Sequence, residues 1–491
     1  MAEVSEYLKN EREQDWRVAL RGNMKNKERT QLERVSMTEQ DPEKRNKDFT
    51  EVNSGLSEEE ARKEAQRCLD CVNPTCITGC PVSINIPKFI KRIEQGDFLE
   101  SARVLKETNT LPAVCGRVCP QEVQCEQACF YTQKLKKPAV AIGHLERYIA
   151  DYEQNSGKMS VPEITGKNGV KVASIGSGPA GLAFAGDMAK MGYDVTVFEA
   201  LHEIGGVLKY GIPEFRLPNR VVDAEIDVLE KMGVKFVKNF IVGATSSIED
   251  LQEEGFKAFM VGSGAGLPNF MHIPGENYIG VYSSNEYLTR VNLMNAADPE
   301  YDTPVISGKK VAVIGGGNTA MDAVRTSKRL GAERSMIIYR RSIEEMPARN
   351  EEIKHAQEEG VEFMNLHNPL EYYADENGRV NKMKVQKMEL GEPDASGRRR
   401  PIPIEGSEFT MEVDTVVVSV GVSPNPLIPS SMKELEVSKW GTIIVDGDSM
   451  HSSVKGVFAG GDIVRGGATV ILAMGDGRKA AESMDKFLKS T

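Results

Sequence analysis

A pattern of apolar strand, glycine-rich turn and helix occurs twice in this chain, and it constrains the fold more than any other feature. The first copy is KVASIGSGPAGLAFAGDMAKMGYDVTVFEA, and the second is KKVAVIGGGNTAMDAVRTSKRLGAERSMIIYRR. Each copy has the order of a Rossmann-type nucleotide-binding unit. The 491 residues are too many for one hydrophobic core, so we expect about three domains.

The first glycine-rich turn has a residue suited to each step of nucleotide binding. Gly176 permits the tight turn, Gly178 lets a pyrophosphate approach the backbone, and Gly181 lets the helix pack closely on the strand. Pro179 and Ala180 open the helix, whose first N–H groups can hold phosphate. A glycine-rich turn without a ligand is the alternative, but the flanking strand and helix favour a dinucleotide site.

The residues after this helix indicate which dinucleotide is bound. Glu199 ends the second strand, where a carboxylate can accept hydrogen bonds from a ribose diol, as in FAD or NAD sites. The later stretch GGVLKYGIPEFRLP is rich in glycine and proline. We expect it to form a loop over a flavin, with Gly206 and Leu208 in the binding site.

A late segment, GVFAGGDIVRGGATVILAMGDGRKAA, favours FAD over NAD. A strand that ends in Gly461 and Asp462 can place a carboxylate on the ribityl chain. A helix that begins near Ala468 and includes Thr469 can direct its N-terminal dipole at the flavin. The alternative is that Asp462 only begins a helix and has no contact with a cofactor.

The second turn fits the GxGxxA form and is followed by basic residues where the first unit has an acid. Its predicted nucleotide-binding residues are Gly315, Gly317, Asn318, Thr319 and Ala320. Arg340 and Arg341 end the next strand, and guanidinium groups there can bind a 2′-phosphate that an acid would repel. The sequence therefore predicts NADP(H) here, the alternative being an exposed arginine pair.

All 8 cysteines lie in two short stretches, CLDCVNPTCITGCP and CGRVCPQEVQCEQACF. The charged start of the chain has no apolar signal region, and the apolar runs are too short for a membrane span, so we expect a cytoplasmic protein. In that reducing compartment, clustered cysteines favour metal binding over disulfides. Two [4Fe–4S] clusters fit the short spacings best. Two zinc sites and buried structural thiols are the alternatives, and the spacing does not say which four thiols share a cluster.

Charge gives two weaker indications. The net charge of −11 argues against nucleic acid or an anionic membrane as the main partner. The only dense basic run, at residues 398–400, is short and flanked by acidic residues, and we expect it to form a solvated loop.

With these motifs, the chain resembles the NADPH-oxidising small subunits of glutamate synthase and their relatives. These relatives include the large subunit of NADH-dependent ferredoxin:NADP oxidoreductase and the N-terminal half of dihydropyrimidine dehydrogenase. The strings that carry the resemblance include EAQRCLDC, LPAVCGRVCPQEVQCE, GNTAMDA, YRRSIEEMPAR and GVFAGGD.

The resemblance implies an α/β protein with two Rossmann-like domains in a glutathione-reductase-like arrangement, after an all-α iron–sulfur domain. The expected divisions are a helical domain with two [4Fe–4S] clusters, an FAD domain in two parts and an inserted NADPH domain. In chain order they cover 1–160 (helical), 168–300 (FAD, first part), 301–440 (NADPH) and 441–491 (FAD, second part).

The resemblance also implies crossed cluster ligation. One cluster would take Cys68, Cys71, Cys76 and Cys129. The other would take Cys80, Cys119 and Cys125 with a carboxylate or amide from a later helix, which is Glu146 in AIGHLERYIAD. On this basis Cys115 is not a ligand. Glu146 as an ordinary exposed helix residue is the alternative.

The implied function is electron transfer from NADPH through FAD and the clusters to a partner subunit, with no catalytic acid or base. The favoured activity is that of the glutamate synthase (NADPH) small chain in glutamate biosynthesis. No cysteine precedes Cys68 to serve as an N-terminal glutaminase nucleophile, so we expect a large partner subunit. The alternatives are the large subunit of a flavin-bifurcating ferredoxin:NADP oxidoreductase, with a flavin or iron–sulfur partner and ferredoxin, and a non-catalytic cofactor-binding scaffold.

Overall fold

The computed structural model of the chain describes residues 2–305, 308–395 and 397–490. The N-terminal region is helical, with a 3₁₀ turn at Gln121–Val123 and a π-helical turn at Tyr131–Leu135. Its α-helices are α1 (Ala2–Arg12), α2 (Asp15–Asn23), α3 (Asn26–Arg29), α4 (Pro42–Arg45), α5 (Glu58–Gln66), α6 (Thr75–Thr78), α7 (Ile86–Gln95), α8 (Phe98–Lys106), α9 (Pro112–Val118) and α10 (Ile142–Asn155).

Helix α5 shows how local sequence determines one of these helices. Ser57 precedes it, and the Ser57 hydroxyl accepts a hydrogen bond from the Glu60 N–H while the Glu60 carboxylate accepts one from the Ser57 N–H. This reciprocal capping box satisfies two backbone donors that the first turn leaves without partners. The start of α5 is therefore determined by contacts between residues three positions apart.

The first Rossmann unit follows the helical region. Its elements are β1 (Lys171–Ile175), α11 (Pro179–Lys190), β2 (Asp194–Phe198), α12 (Val207–Tyr210), α13 (Asn219–Lys231), β3 (Lys235–Val237), α14 (Ile248–Glu253) and β4 (Phe256–Val261). Strand β1 is buried along four of its five residues. Such an uninterrupted buried run is typical of a strand inside a parallel sheet that is covered on both faces.

The second unit and the C-terminal segment complete the chain. Their elements are β5 (Leu267–Pro268), β6 (Val281–Ser283), α15 (Ser284–Asn292), β7 (Lys310–Ile314), α16 (Asn318–Arg329), β8 (Arg334–Tyr339), α17 (Asn350–Glu358), β9 (Glu362–Asn365), β10 (His367–Ala374), β11 (Val380–Pro393), β12 (Arg399–Pro403), β13 (Phe409–Glu412), β14 (Thr415–Val418), β15 (Val422–Ser423), α18 (Leu427–Ser431), β16 (Val457–Ala459), α19 (Asp462–Arg465) and α20 (Val470–Ser490), with a 3₁₀ turn at Ile343–Glu345.

The strand order shows that one nucleotide-binding unit is inserted in the other. The first sheet is parallel with the order β16-β4-β1-β2-β3, so the C-terminal β16 returns to the sheet that β1 begins. The second parallel sheet has the order β6-β14-β7-β8-β9 and lies between β4 and β16 in the chain. Strands β10 to β13 form a separate antiparallel sheet. The predicted α/β class and double Rossmann arrangement are confirmed.

The helical region and the first Rossmann unit share one hydrophobic core. That core runs from Ala61 in α5 to Met484 in α20. Helix α20 crosses α11 so closely that a Cβ atom at Gly477 would overlap the Ala180 carbonyl oxygen. In the part of the chain that the structure describes, no helix is both long and apolar enough to cross a membrane.

A buried group of ion pairs joins the N-terminal region to the second Rossmann unit. The Glu359 carboxylate lies 3.0 Å from Arg45 Nε, 2.8 Å from Arg325 Nη2 and 2.7 Å from Arg329 Nη1. Arg45 is on α4, whereas Arg325 and Arg329 are on α16, and these side chains are almost wholly buried. These contacts hold the helical region against the inserted unit, because a buried ion that loses its partner is strongly unfavourable.

Candidate cofactor sites

The first glycine-rich turn combines two glycines required by packing with one that faces open space. Gly176 has φ +101°, and a Cβ there would overlap the Gly262 carbonyl. A Cβ at Gly181 would overlap the Gly176 carbonyl. Gly178, which begins α11 with Pro179 in the first turn, has no heavy atom within 4 Å of a Cβ position. The space before α11 therefore fits a phosphate group.

Ser177, which the sequence did not predict as a site residue, holds Glu199 beside this turn. The Glu199 carboxylate accepts hydrogen bonds from the Ser177 N–H at 2.9 Å, the Ser177 hydroxyl, and the Leu201 N–H at 2.8 Å. The Ser177 hydroxyl also accepts one from the Gly205 N–H at 3.0 Å. Ser177 thus ties the end of β2 and the loop before α12 to the turn. The only indication of Ser177 in the sequence is that a residue with a hydroxyl group lies between the first two glycines of the GxGxxG motif.

The GGVLKYGIPEFRLP stretch lies next to the turn and contributes a tyrosine. Gly206 has φ +56°, and a Cβ there would lie 2.9 Å from Gly178 Cα. Leu208 is fully buried. Burial, together with the negative charges of Asp462 and Glu199, raises the pKa of Tyr210 to about 12. Tyr210 therefore lies near both predicted carboxylates, which sequence spacing did not reveal.

The C-terminal segment brings Asp462 and the start of α20 to the same region. Gly461 has φ +77°, which favours glycine. The Asp462 carboxylate accepts a hydrogen bond from the Ala468 N–H at 2.9 Å, and burial raises its pKa. The Thr469 hydroxyl lies at the start of α20 and accepts from the Leu472 N–H at 3.4 Å. Glu199, Tyr210 and Asp462 thus lie in one region beside the first turn, an arrangement that fits FAD.

The second turn has the same division of roles. Gly315 has φ +140°, and a Cβ there would overlap the Ser419 carbonyl. Gly317 faces open space at the start of α16, with Thr319 exposed and Ala320 buried in the first turn. The Asn318 side chain accepts a hydrogen bond from the Arg349 N–H at 2.9 Å, so it also fixes the start of α17. This cradle fits a second dinucleotide.

The two arginines after β8 have different surroundings. Arg340 is exposed, whereas Arg341 is buried and donates to the Arg399 carbonyl at 2.8 Å and the Asp394 carboxylate at 2.9 Å. Arg399 and Arg400 are the first two residues of strand β12 and are exposed. The expectation that the basic run at residues 398–400 forms a loop was therefore wrong for these two residues. Strands β11 and β12 pair as an antiparallel hairpin, and this hairpin places Asp394 and Arg399 beside Arg341 at the end of β8, although they are more than 50 positions away in the chain.

Four cysteines line one apolar cavity in the helical region. They are Cys68, Cys71, Cys76 and Cys129, which we call the outer set. Ile86, Ile90 and Tyr131 complete much of the wall. Burial, together with the charges of Cys68 and Cys129, raises the pKa of Cys71 to about 12. Without a metal, four thiolates here would be unfavourable, and a bound iron cluster would supply the missing positive charge.

A second group lies deeper and contains a carboxylate. Cys80, Cys119, Cys125 and Glu146, which we call the inner set, are almost fully buried and interact electrostatically with one another. Burial raises the pKa of Glu146 to about 8. Glu146 is therefore not an ordinary exposed helix residue. All eight cysteines are free thiols, so both groups fit metal ligation better than disulfides.

Residues that neighbour the inner set contact α20, the C-terminal helix of the first Rossmann unit. Cys115, which is near this set, has its sulfur 3.5 Å from Met474 Sδ on α20 and 3.6 Å from Asn109 Oδ1. A Cβ at Gly475 would lie 3.0 Å from the Pro81 carbonyl oxygen. The outer set reaches the surface, since Cys71 and Cys76 are partly exposed. The inner set is thus close to α20, and the outer set is next to solvent.

Comparison with known proteins supports both halves of this description. Residues 45–158 match the family described as dihydropyrimidine dehydrogenase domain II, 4Fe-4S cluster, and residues 170–477 match the pyridine nucleotide-disulphide oxidoreductase family. The structure of FprA from Mycobacterium tuberculosis in complex with NADPH is similar, with a TM-score of 0.55 and 19% identity. It covers 66% of this chain and 85% of that chain, and at this identity it supports the fold alone.

Two curated relatives are similar along most of the chain. The glutamate synthase (NADPH) small chain of Azospirillum brasilense is 38% identical, over 91% of this chain and 93% of that protein. The NADP(+)-dependent formate dehydrogenase subunit beta of Moorella thermoacetica is also 38% identical, over 85% of this chain and 60% of that protein. The resemblance predicted from the sequence is confirmed. The chain therefore belongs to the family of the glutamate synthase (NADPH) small chain, within the pyridine nucleotide-disulphide oxidoreductases.

Proposed function

We propose that this protein carries electrons from NADPH through FAD and two [4Fe–4S] clusters to a partner protein. The partner that the relatives favour is the large chain of glutamate synthase. The observation that carries the proposal is the order of the sites. The inner set is adjacent to α20, whose N-terminal end borders the FAD region, and the outer set is adjacent to solvent.

The chain's own residues would bind and orient the cofactors in this proposal. Residues of the first turn, with Glu199 and Asp462, would hold FAD, and residues of the second turn would hold NADPH. The outer set would ligate one cluster and the inner set, with Glu146, the other. When bound, the flavin accepts hydride and releases electrons singly to iron–sulfur centres. No side chain of the chain is needed as a catalytic acid or base.

Anaerobic titration of the purified native protein with NADPH tests the electron path. We expect the flavin absorbance to bleach and electron paramagnetic resonance to show two separate reduced clusters. Addition of a glutamate synthase large chain with glutamine and 2-oxoglutarate should then give NADPH-dependent glutamate. A protein without iron, or one whose flavin NADPH does not bleach, would contradict the proposal and favour a non-catalytic scaffold.

A different partner is the second candidate, because a subunit of a different enzyme has the same percentage identity to this chain. The formate dehydrogenase subunit beta of Moorella thermoacetica shares 38% identity, the same value as the glutamate synthase small chain. In this second candidate the chain is the large subunit of a ferredoxin:NADP oxidoreductase and passes electrons to a flavin or iron–sulfur partner and ferredoxin. Reduction of ferredoxin only in the presence of a flavin partner subunit, without NADPH-dependent glutamate formation, would support it.

Replacement of Arg340 with serine should reduce the affinity for NADPH while that for NADH changes little. Arg340 is exposed at the end of β8, whereas Arg341 is already bound to Asp394 and Arg399. A lost charge-assisted hydrogen bond costs about 1.5–3 kcal/mol, which corresponds to a roughly 10- to 150-fold higher Kd for NADPH. Stopped-flow measurement of flavin reduction at varied NADPH and NADH concentrations gives both values.

The matched control for this prediction is Arg334→Ser at the start of the same strand. Arg334 is exposed and pairs with Glu362 at 2.7 Å. The Arg334→Ser variant should leave the ratio of NADPH to NADH affinity unchanged. Equal losses for the two nucleotides in Arg340→Ser, and also in the double replacement of Arg340 and Arg341, would refute a role in 2′-phosphate binding.

A further inference from the structure

The loop between α8 and α9 connects the C-terminal helix with the inner set. Arg478 on α20 donates to the Thr108 carbonyl, and Met474 on α20 lies against Cys115 at the sulfur atoms. Asn109 lies inside this connection and has no exposed surface. A fully buried amide needs partners for both its donor and its acceptor.

The contacts of Asn109 determine which way its amide group points. The carbonyl oxygen Oδ1 accepts a hydrogen bond from the Leu111 N–H at 3.0 Å and lies 3.6 Å from Cys115 Sγ. The amide nitrogen Nδ2 donates to Glu146 Oε1 at 2.7 Å. Rotation of the amide by half a turn would place its NH₂ against the Leu111 N–H and its oxygen against the Glu146 carboxylate. The observed orientation is therefore the one that satisfies all three neighbours.

This contact restricts the carboxylate of Glu146. A free glutamate side chain rotates about three bonds, and a hydrogen bond to one carboxylate oxygen fixes the plane of the group. Asn109 is neutral, so it holds the carboxylate without neutralising the negative charge that a metal would bind. Partners of this kind orient metal ligands in many proteins, and their loss typically lowers metal affinity about 10- to 100-fold.

We propose that Asn109 is a positioning residue that holds Glu146 Oε1 and so leaves Oε2 to bind iron of the inner cluster. This inference rests on the proposed function and on Glu146 as the fourth ligand of that cluster. It adds a residue from outside both cysteine stretches to the inner site. Asn109 does not itself touch the iron in this proposal, and its effect passes through Glu146.

The test compares Asn109→Ala and Asn109→Asp in the complete protein. The aspartate variant keeps the side-chain size and the acceptor for the Leu111 N–H but replaces the donor to Glu146 with an oxygen. We expect both variants to change the reduction equilibrium of the inner cluster by about tenfold, or about 59 mV for one electron. Electron paramagnetic resonance during an anaerobic redox titration measures each cluster separately, and iron and flavin are quantified in the same samples.

The matched control is Ser101→Ala, which removes another fully buried polar contact of the helical region. The Ser101 hydroxyl donates to the Phe89 carbonyl at 2.8 Å, within the α7–α8 pair. It should leave both clusters and the flavin unchanged. The positioning role requires that the Asn109 variants change the inner cluster alone, with the outer cluster and flavin unaffected.

Two results would overturn the inference. In one, Asn109→Asp has the inner-cluster spectrum and potential of the unchanged protein. In the other, both Asn109 variants alter the two clusters and the flavin to the same extent, which indicates a general structural effect. Both are distinguishable from failure of the proposed function, because that failure would appear in the unchanged protein as absent clusters or a flavin that NADPH does not reduce.

Discussion

Replacement of Cys119 with serine is expected to remove about four iron atoms from each chain, the content of one [4Fe–4S] cluster. Cys119 belongs to the inner set, where a side-chain hydrogen bond with Cys115, burial, and the charges of Cys115 and Glu146 raise the pKa of the unligated thiol. Electron flow from NADPH to one-electron acceptors should fall to a small fraction of its rate, because the remaining path omits the inner cluster. Bleaching of the flavin by NADPH should persist, since the FAD region does not include Cys119.

Cys115→Ser is the matched control for that prediction. Cys115 lies one helical turn before Cys119 and is also fully buried. Its sulfur contacts Asn109, Met474 and the Cys119 thiol, but the proposed ligand set does not include it. It should keep the full iron content and both cluster signals, measured by iron analysis and electron paramagnetic resonance on the same anaerobic preparation. Loss of iron in Cys115→Ser with full retention in Cys119→Ser would mean that Cys115 is the ligand, and the proposed ligand set would be wrong.

Replacement of Glu359 with glutamine is expected to lower the free energy of unfolding by about 3–5 kcal/mol, the usual cost of breaking a buried ion pair. The change leaves Arg325 and Arg329, both wholly buried, without their shared carboxylate, and it weakens the link to Arg45. Urea denaturation followed by circular dichroism at constant cofactor content measures the effect. NADPH-dependent flavin reduction should also slow if this junction orients the inserted unit.

Glu362→Gln is a control of the same chemistry at the surface. Glu362 pairs with Arg334 at 2.7 Å, and both side chains are more than 40% exposed. Exposed pairs typically contribute about 0–1 kcal/mol, so this variant should be nearly as stable as the unchanged protein. Equal destabilisation by the two replacements would contradict the importance of the buried junction.

The buried ion pairs around Arg325 also predict a loss of stability in acid. Arg325 pairs with Glu352 as well as with Glu359, and Glu352 lies 3.2 Å from Arg216. Burial alone would raise the pKa of Glu352, but the guanidinium groups of Arg216 and Arg325 outweigh it and lower the pKa to about 2. Arg325 and Arg329 likewise lower the pKa of Glu359 against the effect of burial. Depressed carboxylate pKa values contribute stability above the unfolded value of about 4.3, and that stability is lost as the pH falls through the folded value. Glu359→Gln should show a shallower loss below about pH 4.5 than the unchanged protein.

Short-range patterns in the sequence predicted much of the fold. The two glycine-rich turns and the strand–turn–helix order around them were predicted from neighbouring residues. Such features depend on backbone conformation and on hydrogen bonds between residues a few positions apart. Their outcome is therefore largely independent of the rest of the chain.

The sequence by itself determined that this protein has two glycine-rich turns at helix starts and eight closely spaced thiols, because chain geometry limits what lies near a turn or a short cysteine spacing. Only the tertiary structure decided that Ser177 anchors Glu199, that Asp394 and the Arg399 carbonyl hold Arg341, and that Asn109 reaches Glu146. These contacts join residues on different elements. Their partners are selected by helix packing and by the need to satisfy buried polar groups, which spacing along the chain does not record.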